Sequence, residues 1–156
     1  MKNWQLFVRH AHRDTADRSL DNGLSEKGHS QGLEIQKYLE NLDKKRKPLS
    51  VFSSPKVRCL ETAAYVAKWA GVDVEIDQRL DEQHPGETEA KFVKRVEQFY
   101  KDTRKLSEVC FVSHGDVLPL IVAFTSGKPV EIKKGDLFFW EENKIKRANG
   151  IHSSGN

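Results

Sequence analysis

The stretch LSVFSSPKVRCLETAAYVAKWAGVDVEI, residues 49–76, holds a strand-like run, a helical run and a second strand-like run in succession. Leu49 to Ser53 is short and apolar-rich, and Ser54-Pro55 then reads as an N-cap followed by proline at the first helical position, where its missing N–H costs nothing. Val57, Leu60, Ala64 and Ala67 recur at helical spacing, Gly71 supplies a stop, and Val72 to Ile76 alternates as a strand. Two strands joined through a helix in so short a span make the unit of a parallel sheet, because parallel neighbours need a crossover and the crossover helix covers the sheet.

The alternation continues on both sides. Trp4 to Arg9 is an apolar run that fits a buried strand, and a polar stretch follows it to Asn22-Gly23. Ser25 is placed to cap a helix whose Gly28, Gly32, Ile35, Leu39 and Leu42 share one face. Asp77 to Glu89 has no periodicity, is rich in acids and contains His84-Pro85-Gly86, so a loop is expected there. Phe92, Val96, Phe99, Thr103 and Leu106 then mark a helix, and Val109 to Val112 a compact strand ending in Ser113-His114-Gly115. Val117 to Phe124 reads as a short buried helix and Asp136 to Trp140 as a last strand. The expected fold is α/β, a three-layer α/β/α sandwich with a mostly parallel central sheet. One domain over residues 1–148 suits the length, with 149–156 as a short flexible tail.

Composition narrows the functions. The 26 basic residues nearly balance 23 acidic ones, so there is no domain-wide positive field for nucleic acid. The densest basic run, Lys44 to Lys47, precedes Pro48 and reads as a solvated loop. No run of about 18 apolar residues is present, so neither a membrane span nor a membrane partner is expected. Cys59 and Cys110 lie in apolar stretches and read as free buried thiols, which points to a reducing, cytoplasmic setting and a monomer without disulfides.

Three short segments could carry chemistry. Arg9-His10 closes the first strand, Arg58 lies in the first turn of the second helix, and His114 follows a later strand. In open parallel sheets, ligands gather at the carboxyl ends of strands. Together the three suit a phosphate: an arginine fork donates to two oxygens, a helix N-terminus adds backbone donors, and a protonated histidine adds a charged donor. His10-x-His12 is not taken as a metal site, since no further ligands cluster. No metal or other cofactor is expected.

These residues resemble the histidine phosphatase superfamily, also called the phosphoglycerate mutase-like family. Its Arg-His-Gly opening is matched by Arg9-His10-Ala11, and its Leu-Thr-x-x-Gly-x-x-Gln helix start by Leu24 to Gln31. Its Ser-x-x-x-Arg-x-x-x-Thr-Ala signature is matched by Ser54 to Ala63, and its Ser-His-Gly motif by Ser113-His114-Gly115. The resemblance implies that His10 is the nucleophile and that Arg9, Arg58 and His114 bind the phosphoryl group; Arg13, which departs from the family pattern, is a candidate for a further positive contact to the phosphate or else a solvent-exposed side chain. It also implies a carboxylic acid from the loop after the third strand. Glu82 fits that position best, with Glu87 and His84 as alternatives. Ala11 in place of glycine is tolerable if its backbone has negative φ.

The implied activity is a metal-independent phosphatase working through a phosphohistidine at His10. Its partner would be a phosphohistidine protein, as for the compact SixA-type enzymes the chain resembles in size, or a small phosphomonoester. A phosphoglycerate mutase needs a site closed against water, for which the chain is short. A catalytically silent phospho-ligand binder would be expected to have lost His10 or an arginine.

Overall fold

The computed structural model describes residues 3–42 and 46–147. Six strands form one sheet in the order β3-β2-β4-β1-β5-β6. β1 (Trp4–Arg9), β2 (Ser50–Ser53), β3 (Val74–Ile76) and β4 (Val109–Ser113) run parallel, while β5 (Leu137–Glu141) is antiparallel to β1 and β6 (Lys144–Arg147) antiparallel to β5. The helices are α1 (Glu26–Glu40), α2 (Val57–Ala70), α3 (Glu89–Thr103) and α4 (Leu118–Ser126).

Alternation along the buried strands builds two apolar layers. Leu6, Val8, Cys110 and Val112 pack with Ile35 and Leu39 of α1 and Ala63 and Val66 of α2. Phe7 and Phe111 point the other way, onto Phe92, Val96 and Phe99 of α3 and Leu118, Ile121 and Val122 of α4. The molecule is thus a three-layer α/β/α sandwich. Both free cysteines are buried in the first layer.

Several boundaries differ from those expected. Ser54-Pro55 does not start α2, which begins at Val57 with Lys56 as an extended, side-chain-free cap. The orphan N–H of Val57 is met from a distant loop, by Asp21 Oδ1 at 3.0 Å. The stretch Gln78–Leu80 is a 3-10 turn inside the expected loop, and Thr88 caps α3 by accepting from Lys91 N. Ser25 caps α1 and the left-handed Gly71 ends α2, both as expected. The residues 149–156 assigned to a tail lie outside the described part. Within the basic run, Arg46 pairs with Glu141 and lies over the Phe139 ring of β5, whereas Lys47 is exposed with its ammonium over Trp69 of α2. Among the described residues no helix is long and apolar enough to cross a membrane.

Candidate active site

β2, β4 and β1 are neighbours, and the backbone ladder runs one residue past each strand end: Ser54 N donates to Val112 O and His10 N to Ser113 O, both at 3.0 Å. Ser54, His114 and His10 therefore leave the sheet side by side. The chain runs from β1 to β2 and β3 under α1 and α2, then returns to β4 across the opposite face with α3, so this end is the switch point where a crevice opens.

His10 is 4% exposed, and its Nδ1 lies 2.8 Å from the Ala11 carbonyl. A carbonyl only accepts, so Nδ1 carries the proton and Nε2 keeps its lone pair. Two contacts hold that geometry from behind: Ala11 N donates to Thr62 Oγ1 of α2, and Ser25 N donates to the His12 carbonyl. Gly28 is required there, since a Cβ would stand 1.9 Å from that carbonyl. The Ala11 backbone is not left-handed, so alanine is no obstacle. Burial, then the charges of Arg58, Arg9 and Lys134, push the His10 imidazole down to about 3 against the pull of its own hydrogen bond to Ala11.

Arg58 reaches in from the first turn of α2, with Nε 3.4 Å from His10 Nε2 and Nη2 3.4 Å from His114 Nδ1. His114 is tethered on its far side, where Nε2 lies 2.8 Å from Ser54 Oγ. The serine read as a helix cap thus meets the histidine, while its oxygen also accepts from Lys56 N at 3.3 Å. Burial, then His10 and the nearby cations, push the His114 imidazole down to about 2. Arg9 anchors through Nη1 to the Ile132 carbonyl at 2.7 Å, and its Nε is buried with no hydrogen-bond partner among the described residues. Its guanidinium lies on Gly115, where a Cβ would come within 2.6 Å of Cζ.

Of the three candidate acids, Glu82 meets the cluster. Its Oε1 is 2.8 Å from Arg58 Nη2 and 3.9 Å from His114 Nδ1, and its side chain is 39% exposed, at the mouth. Glu87 is engaged elsewhere: hydrogen bonds from Arg95 hold its carboxyl down at about 2, and so ionised. His84 lies 3.0 Å from Asp81. Arg13 stands further out and donates to the Leu20 carbonyl. His10 and His12 meet different partners, His12 through Nδ1 at Ser25 Oγ, and no group of three metal-ligating side chains gathers among the described residues.

A model of the histidine phosphatase superfamily (branch 1) matches residues 6–102, more than half of the chain. The chain belongs to this superfamily. Membership in a superfamily named for its phosphatases supports a hydrolase of the phosphatase class. No curated protein matches the sequence closely enough to count as a relative. Among solved structures, the fold is similar to an Escherichia coli K-12 protein proposed to be an alpha-ribazole-5'-P phosphatase (18% identity, TM-score 0.79, covering 96% of this chain and 99% of that one). It is similar also to a mycobacterial glucosyl-3-phosphoglycerate phosphatase in complex with inorganic phosphate (20%, 0.68, 94% and 94%) and to Bacillus stearothermophilus YhfR (18%, 0.70, 93% and 95%).

Sequence reading missed four contributors. Ser54 was visible within its motif but assigned to capping. Asp21, Arg95 and Lys134 act across long sequence separations and carry no local signal.

Proposed function

We propose that this superfamily member is a metal-independent phosphatase that takes the phosphoryl group of a small phosphomonoester onto His10 Nε2 and passes it to water. The observation that carries this reading is the locked tautomer of His10: Nδ1 is committed to the Ala11 carbonyl, so the Nε2 lone pair faces Arg58. Burial and cations keep that lone pair free at neutral pH. Arg9, Arg58 and His114 surround the space beside it, where equatorial phosphoryl oxygens would receive their donors during in-line transfer.

The Nε2–P bond forms as the ester P–O bond breaks, and the departing alkoxide takes a proton from the Glu82 carboxyl. Water then attacks phosphorus, loses a proton to the Glu82 carboxylate and displaces His10, and phosphate leaves. An incoming phosphate competes with Glu82 for Arg58. A phosphohistidine protein as substrate rests on the small size of the chain alone.

The test uses glycerol phosphate, p-nitrophenyl phosphate and a histidine-phosphorylated protein with the parent, His10→Ala and Glu82→Gln. His10→Ala is expected to lose at least ~10³ in kcat/KM on every substrate. Glu82→Gln is expected to lose about 10² on glycerol phosphate and less on p-nitrophenyl phosphate, whose leaving group needs no proton. Full activity in His10→Ala defeats the proposal. Equal retention on both esters in Glu82→Gln removes that residue from proton transfer, and a parent active only on the protein moves the substrate class.

A further inference from the structure

The carboxylate of Asp81 is buried, with the residue 5% exposed, and the reaction above leaves it unused. It belongs to the segment after β3, which is fastened to the end of β4 where Ser113 Oγ donates to the Leu80 carbonyl at 2.6 Å. Both of its oxygens are engaged. Oδ1 accepts from Glu82 N at 2.9 Å and stands 3.7 Å from His114 Nε2. Oδ2 accepts from Lys56 Nζ at 3.2 Å and lies 3.0 Å from His84 Nε2, two partners that are themselves partly exposed. Asp81 thus has an outer side turned to Lys56 and His84 and an inner side turned to His114.

The inner contact matters because of how His114 is placed. Its ring faces His10 from the end of β1 at 5.3 Å between centroids, Arg58 and Cys59 from α2, and Asp81 and Glu82 from the segment after β3. Arginine only donates, so the Nδ1 that meets Arg58 Nη2 holds a lone pair, and Nε2 carries the proton toward Ser54 Oγ. The Cys59 thiol is pushed up by burial and adds no charge. A neutral ring in this tautomer offers a phosphoryl oxygen a lone pair and no donor. It holds that oxygen only when a proton lies between them, on Nδ1 or on the oxygen. An imidazolium inside the protein is costly without a counter-charge. Two carboxylates come within 4.0 Å of the ring among the described residues, and Glu82 is at the mouth, on Arg58. Asp81 is the buried one, on the far side of the ring from Nδ1.

We infer that Asp81 is a positioning residue for phosphoryl transfer that acts through His114: its carboxylate is the counter-charge that draws the shared proton onto Nδ1, so that the ring donates to the phosphoryl group. The inference rests on the phosphatase reading of the same site. The proton enters with the substrate. A phosphomonoester loses its second proton near about pH 6, so some monoanion is present at neutral pH. That monoanion passes its proton to Nδ1 and becomes a dianion, and inorganic phosphate takes the proton back on leaving. The ring then donates Nδ1–H to a phosphoryl oxygen and Nε2–H to Ser54, and its charge joins those of Arg9 and Arg58 during transfer.

The experiment records nitrogen-15 spectra of histidine-labelled protein at neutral pH with saturating inorganic phosphate, the His114 signals being those lost in His114→Asn. The parent is expected to show both His114 nitrogens protonated, and Asp81→Asn, which keeps the size and removes the charge, to show one of them bare. Kinetics separates this role from support of Glu82, whose N–H Asp81 also accepts. In Asp81→Asn kcat/KM is expected to fall at least tenfold, and equally on glycerol phosphate and p-nitrophenyl phosphate. The phosphoryl oxygens are common to both esters, whereas only the alkyl ester needs a placed acid. A neutral His114 in the phosphate-bound parent overturns the inference without recourse to any variant. An imidazolium that persists in Asp81→Asn overturns it too, as does a loss confined to glycerol phosphate or no loss at all. Hydrolysis that requires His10 leaves the phosphatase reading intact in those events, whereas parental activity in His10→Ala overturns both.

Discussion

At the scale of single residues, the site is built by making each polar atom's choice for it. His10 Nδ1 has the Ala11 carbonyl, His114 Nε2 has Ser54, and Arg9 Nη1 has the Ile132 carbonyl. What faces inward, namely His10 Nε2 and His114 Nδ1 at 3.4 Å from Arg58 and the unpartnered Arg9 Nε, is the set a phosphoryl group would need. Gly115 shows how tight this is, since a methyl group there would overlap Arg9 Cζ and Nη1 at 2.6 and 2.7 Å. Gly115→Ala is therefore expected to push the guanidinium off its anchor. Inorganic phosphate should then inhibit about tenfold more weakly while the melting temperature stays within a few degrees, because the displaced group is a flexible side chain at the crevice rather than core. Unchanged phosphate inhibition would show that Arg9 does not reach the phosphate.

At the scale of elements, the segment carrying Glu82 is held by a helix that contributes nothing else to the site. Arg95 of α3 donates to the Arg79, Asp81 and Glu82 carbonyls and to the Glu87 carboxylate. Removing it leaves three buried or half-buried carbonyls short of a donor and frees the segment. Arg95→Met is expected to lower stability by roughly 2 kcal/mol in urea unfolding. It should also lower kcat on alkyl phosphates more than on p-nitrophenyl phosphate, because only the former need a placed acid. An equal loss on both would mean that the helix supports the fold alone.

Arg95 also marks where reading the sequence stops. The βαβ periodicity, the helix cap at Ser25 and the strand ends at His10 and His114 were legible because period and punctuation are local. The cap at Ser54 was misread because one hydroxyl had two possible uses and the deciding partner, His114, is 60 residues away. β6 was missed because Lys144-Ile145-Lys146-Arg147 has a single apolar residue. Its turn, moreover, uses left-handed Glu142 and Asn143 in place of the usual Asn-Gly or Asp-Gly. Lys134 had no signal, since its position follows from a loop pinned to β1 by backbone hydrogen bonds.

For the whole molecule, placing two neutral histidines where three buried strands end ties stability to pH. His10 is held at about 3 and His114 at about 2 in the folded protein, against about 6.5 in an unfolded chain. Both folded values are depressed, so between those limits the unfolded chain binds up to two more protons than the folded one. Stability then falls as pH falls, with a slope approaching about 1.4 kcal/mol per pH unit for each histidine. Glu87, held at about 2, acts in the same direction but only below the ordinary carboxylate range, from about 4.5 downwards. Above the ordinary carboxylate range the histidines dominate; His12, also lowered by burial and then by Lys134, Lys27 and Arg18, adds in the same direction, and Asp116, raised by burial, opposes it. Urea unfolding from pH 6.5 to 5 is expected to show the parent losing stability steadily, and His114→Asn, which keeps a polar side chain of similar reach without a titrating ring, losing it at a shallower slope. A parent whose stability is flat from pH 6.5 to 5 would mean that both rings accept protons freely in the folded state, and the lone pair assigned to His10 would then be lost to protonation at mildly acidic pH.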